Sequence, residues 1–330
     1  MLLRKTAIAA CVVLLAASSR AGTDGSAPTL RQVLQQNGVP TAGFQAADLD
    51  ARVSSGAIVP TSDGLLFASP AEGSDGRIGP PLYVVVYDRP VGRVLHRKIE
   101  AHETSDFCFG SLLDVSTQAG YILLETHINP SAGCTIVLSP ELKVLHTLFG
   151  WKVAQLGADG FVLQRDEVHF APVHPAHLAV FDLPAGRQHE VYPPDGDVLR
   201  AEFSRDLKQH LPAENWCREH NHSCDPASFD EEVGESVVAD ASGSVFAFVM
   251  TYDSGGFGDN TASAVGSRLA LYVYRRKGEG WTYCQQPLPA SLANDTTQAL
   301  KRDMEGAIAG CREFKDVTVA PRNSPFSGSR

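Results

Sequence analysis

From about Gly56 onward the chain alternates short apolar runs with polar stretches, and the polar stretches are themselves alternately short and long. Tight turns at Ser62-Asp63-Gly64, Ala119-Gly120, Asp159-Gly160 and Ser242-Gly243 each lead into an apolar run, at residues 65–68, 121–124, 161–163 and 245–250. A longer polar stretch follows each run. A second apolar run then appears, at residues 82–87, 135–138, 177–181 and 269–274. Apolar runs bounded by Gly, Asp, Asn and Ser predict strands joined by turns. The recurrence predicts one strand–turn–strand unit used four times.

Two copies can be read in full. One predicts strands at 111–115, 121–125, 135–138 and 144–149, the other at 152–156, 161–165, 177–181 and 188–192. Four short strands in a unit of about 40–50 residues mark the blade of a β-propeller. The fold class read from this pattern is all-β and propeller-like, with four-stranded blades and short helical segments at the N- and C-terminal ends. A β-sandwich also yields short alternating strands and is the rival architecture.

The stretch Val237-Val238-Ala239-Asp240-Ala241-Ser242-Gly243-Ser244-Val245-Phe246-Ala247-Phe248 resembles blades of the TolB-like and WD40-like propellers. In those families a polar turn with glycine precedes a strand of the Leu-Ala-Phe type. The resemblance extends, with a break, over residues 56–286, and the Trp-Asp dipeptide of WD40 repeats is absent. It implies architecture and not activity.

Outside the repeats the pattern changes. Residues 1–21 read as a signal peptide: Arg4 and Lys5 precede an apolar stretch, and Ser19-Arg20-Ala21 puts small residues where a signal peptidase reads. Residues 22–55 read as a leader with a short helix, because Thr29-Leu30-Arg31-Gln32 has capping-box spacing and Gly38 and Pro40 end the run. Residues 56–320 form the propeller-like domain, with an insertion or degenerate blade at about 194–234 that holds Trp216 and the acidic run Asp230-Glu231-Glu232. Helical spacing returns at 290–310, and 321–330 reads as a disordered tail.

Cleavage after Ala21 removes Arg4, Lys5 and Arg20 and no acid, so the formal charge moves from −10 to −13. That balance argues against nucleic acid and anionic lipid as partners. The apolar stretch near the N-terminus is too short for a comfortable span, so no stable membrane insertion is expected after cleavage. A secreted or periplasmic location follows. An even set of six cysteines remains: Cys108, Cys134, Cys217, Cys224, Cys284 and Cys311. In an exported chain they read as three disulfides, with fifteen pairings open to six cysteines. Strand placement favours Cys108–Cys134 and Cys284–Cys311, and nearness in sequence favours Cys217–Cys224. The first pair requires both residues to lean over one intervening strand, since two strand spacings, about 9.5 Å, exceed the reach of a disulfide.

In an up-and-down blade, first and third turns share one end and second turns share the other. The second turns read as the longer ones, at 69–81, 126–134, 166–176 and 251–267, so the binding surface is placed at their end. The ligand-binding candidates there are His127, Asp166, His169, His174, Tyr252, Asp253 and Asp259. His169, His174 and His177 near carboxylates have the donor chemistry of a transition-metal site but not its spacing. Asp253, Asp259 and Asn260 are oxygen donors of the kind calcium takes, again without a known calcium-loop spacing. The expectation is therefore no metal and no cofactor, with calcium at the glycine-rich loop as the competing reading. No nucleophile elbow, phosphate loop, dinucleotide fingerprint or zinc-helix motif is present. The leading reading is a protein that binds a partner protein or small ligand. The alternatives are a hydrolase or lyase using carboxylates or a metal on the same face, and a structural envelope component.

Overall fold

The computed structural model describes residues 27–53, 56–73, 77–104, 108, 110–129, 132–165, 177–192, 229–232, 237–240, 242–254, 270–287, 306 and 308–317. Helix α1 (Leu30–Gln36) starts at the expected capping box. The Thr29 hydroxyl accepts from the Gln32 amide, and the Gln32 side chain accepts from the Thr29 amide. A second helix, α2 (Ala46–Leu49), follows, too short to leave any periodicity in the sequence.

Strands β1 (Ala57–Pro60), β2 (Gly64–Glu72), β3 (Ile78–Asp88) and β4 (Arg93–Ile99) form the first antiparallel sheet, in chain order. Strands β5 (Ser111–Gln118), β6 (Tyr121–Asn129), β7 (Ala132–Leu138) and β8 (Val144–Phe149) form the second. The third holds β9 (Trp151–Leu156), β10 (Gly160–Arg165), β11 (His177–Asp182) and β12 (Arg187–Tyr192). The fourth has six strands: β13 (Phe229–Glu232), β14 (Val238–Ala239), β15 (Val245–Ser254), β16 (Ala270–Lys277), β17 (Gly280–Pro287) and β18 (Lys315–Asp316). Both β13 and β14 pair with β15.

The sheets stack face to face in chain order, because each central strand is apolar on both faces. Leu66, Val84 and Ile99 of the first sheet share a core with Val115, Leu124 and Ile136 of the second. Leu123 and Val137, on the second sheet's other face, meet Phe161, Leu163 and Phe181 of the third. Val162, Val180 and Val191 then meet Phe246, Phe248, Tyr272 and Tyr274 of the fourth. Among the described residues, the remaining faces of the first and fourth sheets are covered by segments outside the sheets. Leu30, Leu34 and Leu49 lie on Leu65, Phe67, Tyr83 and Val85, while Ile308, Cys311 and Phe314 lie on Val245, Ala247, Leu271 and Val273. Four consecutive antiparallel sheets are the blade organisation of a propeller, and a two-sheet sandwich is excluded.

At the first-turn end, Gly157 (φ 63°) and Gly243 (φ 73°) bring equivalent turns of neighbouring sheets together. A Cβ on Gly157 would lie 3.1 Å from the Gly243 Cα. At the other end the strands run farther than their apolar cores suggest. β2 and β3 leave only 73–77 between them, and β6 and β7 only 130–131, so two of the expected long loops are hairpin extensions. Long second connections remain in the third and fourth sheets, at 166–176 and 255–269. β15 continues through Tyr252 and Asp253, expected in a loop, because β13 pairs there. The acidic run of the insertion thus supplies a strand.

Two of the three expected disulfides are present among the described residues. Cys108–Cys134 has a Cα separation of 5.4 Å and Cys284–Cys311 one of 5.9 Å. Cys108 reaches across β6 as required, and the Thr126 hydroxyl donates to its carbonyl at 3.0 Å. Each bond constrains the unfolded chain by about 3.5 kcal/mol in the chain-entropy view. Cys217 and Cys224, the signal-peptide region and the C-terminal tail lie outside the described residues. No helix among the described residues is long and apolar enough to cross a membrane.

Candidate functional site

The link between the second and third sheets is the single residue Gly150, whose φ of 121° suits glycine. It turns the chain from β8 directly into β9 at the second-connection end. Trp151 and Lys152 therefore enter the space between the two sheets. Thr135, buried in β7, fixes the link by donating its hydroxyl to the Gly150 carbonyl at 3.1 Å. The Gly150 amide donates to the Gly133 carbonyl at 2.7 Å.

Lys152 meets a carboxylate and a hydroxyl. Its Nζ donates to Ser116 Oγ at 2.7 Å and lies 3.5 Å from Glu125 Oε1. Both charged side chains are nearly out of water, at 16% exposure for Lys152 and 10% for Glu125. Asp114 stands opposite Glu125 on β5. Burial pushes the Glu125 carboxyl above the usual carboxylate range; the Lys152 ammonium pulls it back only in part, and Asp114 adds to the rise. A buried ion pair of this kind gains Coulomb energy but has two desolvation penalties against it. A bulge between Leu112 and Asp114 turns Leu113 outward, where it is 55% exposed on the edge strand.

One residue pair farther along the same face are His127 and Trp151. Their ring centroids are 6.4 Å apart, inclined by 28°. The indole lies so close over Gly133 that a Cβ there would fall 1.6 Å from Nε1. The Trp151 N–H is buried with no acceptor among the described residues. At the opposite end of this interface, Gln118 donates to the Gly160 carbonyl and more distantly, at 3.5 Å, to that of Gly157, bonding the second sheet to the turn of the third.

Of the residues singled out in the sequence, His127 stands at this site. His177 opens β11, paired with Arg165 at the same end of the third sheet. Tyr252 and Asp253 lie on β15, opposite Glu231 and Asp230. Asp166, His169, His174, Asp259 and Asn260 lie outside the described residues. Among the described residues no three His, Cys, Asp or Glu side chains gather as metal ligands. Sequence reasoning passed over Ser116, Glu125, Trp151 and Lys152. The available signal was a charge inside an apolar strand: Glu125 follows Ile122-Leu123-Leu124, and Lys152 precedes Val153-Ala154.

Neither a family model nor a curated protein matches this chain. Among solved structures it is similar to the tricorn protease, at 8% identity and a TM-score of 0.34, over 78% of this chain and 20% of that one. It is also similar to the GH43 BlXynB protein from Bacillus licheniformis, at 12% identity and a TM-score of 0.24, over 74% of this chain and 45% of that one. The chain thus spans less than half the length of either. Likeness at this level carries no inference about activity, and the propeller-like description rests on the sheet topology.

Proposed function

We propose that this chain is an exported binding protein that recognises a partner protein or small ligand through the end of the stack bearing the second connections. The observation that carries this reading is the asymmetry between the two ends. At the first-turn end, tight turns close on one another through Gly157, Gly243 and Gln118. At the other end stand the His127–Trp151 ring pair, an indole N–H without an acceptor among the described residues, and the strand ends that residues 166–176 and 255–269 join. Export is supported by the signal features of residues 1–21 and by the two disulfides.

A thermal-shift screen of the purified chain against glycan, peptide and metabolite collections tests the reading. A binder should raise the melting temperature, and His127→Ala should abolish that rise while Val91→Glu, on the exposed third turn of the first sheet, leaves it intact. A binder whose effect depends on Val91 and not on His127 would place recognition at the wrong end. The hydrolase or lyase reading draws on one observation, the buried Glu125 carboxyl with its raised proton affinity. Turnover of any screened compound that is lost in Glu125→Gln would favour it.

A further inference from the structure

The two described disulfides sit in different surroundings. Cys108 and Cys134, 1% and 0% exposed, lie in the shared core of the first and second sheets. Cys284 is on β17 at 6% exposure, and its partner Cys311 is partly exposed on the segment 308–317 that covers the outer face of the fourth sheet.

The non-covalent hold on that segment is limited to a few contacts, among them a bond from the Gln286 amide to Cys311 Sγ at 2.8 Å and the packing of Val317 against the core shared by the third and fourth sheets. β18 pairs with β17 through two residues, Asp316 opposite Thr282 and Lys315 opposite Tyr283, and the Val317 amide adds one bond to the Trp281 carbonyl. Arg275 lies 4.3 Å over the Phe314 ring. The Lys277–Asp316 pair is 69% and 73% exposed, so water and salt screen it. Ile308 and Phe314 are only partly buried. The face beneath holds a buried apolar cluster, Val238, Val245, Ala247, Leu271 and Val273, flanked by Arg275 and Gln286.

We propose that residues 308–317 form a strap locked by Cys284–Cys311, and that reduction of this disulfide by a dithiol releases the strap and uncovers the apolar outer face of the fourth sheet. A thiolate of the dithiol attacks Cys311 Sγ, the more accessible sulfur. The Sγ–Sγ bond breaks, and the Cys284 sulfur leaves and takes up a proton. The second thiol of the reductant then displaces Cys311, which is also protonated, and the reductant departs as its own disulfide. Two electrons and two protons have passed to the protein. The core disulfide is sheltered from the same attack, so the switch acts on one end of the stack while the rest stays folded.

Graded treatment of the full chain with dithiothreitol, followed by alkylation and peptide mapping, gives the first readout. Cys284 and Cys311 should be modified about ten-fold faster than Cys108 and Cys134. Hydrogen exchange gives the second: protection of 308–317 should fall by about ten-fold or more while β5 to β8 keep theirs. A hydrophobic dye should brighten in step. The variant Cys284→Ser/Cys311→Ser should show the unprotected strap without reductant; if it does not fold, the wild-type titration decides alone. Modification of all four cysteines together, or a strap still protected once Cys284 and Cys311 are alkylated, would overturn the proposal.

Discussion

The interface between the second and third sheets and the one between the third and fourth are built from opposite materials. The first carries Gln118, Ser116, Glu125, Thr135 and Lys152 beside an apolar cluster that includes Leu123, Val137, Phe161, Leu163 and Phe181. In the second, aliphatic side chains of the third sheet, Leu178, Val162, Val180 and Val191, pack on a face of rings carried by the fourth. Phe246 stacks on Tyr274 at 5.0 Å, Phe248 on Tyr272 at 5.2 Å, and Trp281 meets Phe246 edge-on at 5.2 Å. Aromatic burial contributes stability with little dependence on pH or on any one partner. A buried ion pair adds little net stability, but it makes one arrangement of the two sheets far better than its neighbours, because any slip leaves a charge unpaired in a dry place. The polar interface is also where His127 and Trp151 stand. The two joints thus differ in how they are held: apolar packing at one, a buried pair of charges at the other.

The two largest effects should come one from each joint. Phe248 is fully buried, and Phe248→Ala should cost about 3–5 kcal/mol, read as a lower denaturant midpoint. At the polar joint, Lys152→Met strands the Glu125 carboxylate and should cost about 3–5 kcal/mol at neutral pH. Its pH dependence separates the two joints. The folded-state proton affinity of Glu125 is raised, so its favourable contribution is full below the unfolded pKa of about 4.3 and is lost as pH rises through the folded value. The Lys152→Met deficit should therefore shrink as pH falls toward 4, whereas the Phe248→Ala deficit relative to wild type should not. Equal pH dependence in both variants would remove the contrast. The smallest effect is expected at Tyr274, whose buried hydroxyl has no hydrogen-bond partner among the described residues. Burial pushes its pKa well up, with Tyr272 and Tyr283 adding to the rise. Tyr274→Phe removes an unsatisfied polar atom without changing the ring, so it should shift stability by less than about 1 kcal/mol, toward stabilisation. Calorimetry at neutral pH measures it.

The strands of the second and third sheets were legible because tight turns at Ala119-Gly120 and Asp159-Gly160 punctuate them and their interiors are unbroken apolar runs. Their ends were not. Thr126, His127 and Asn129 look like loop residues, yet they continue β6 because Cys134, Gly133 and Ala132 offer them a partner strand. The same reason hid β13, whose acids suggest solvent rather than a sheet. The capping box of α1 was readable locally, whereas α2 has too few residues to show a period. His127 was singled out for its place in an expected loop, but its neighbours were not. Glu125 and Lys152 meet across two sheets, and Gly133 makes room for Trp151 only once β7 and β9 are side by side. Such pairings are properties of stacking, which composition and periodicity do not carry.

The Glu125–Lys152 contact is the centre of this account, and a double-mutant cycle tests it most directly. Denaturant stability at neutral pH is measured for Glu125→Leu, Lys152→Met and the pair together. Each single variant should be destabilised by about 3–5 kcal/mol, and the double variant should regain most of that loss, since two apolar side chains then replace a mutually paired couple. Losses that simply add would show that the two side chains do not depend on one another, and the polar joint between the second and third sheets would not be held by this pair.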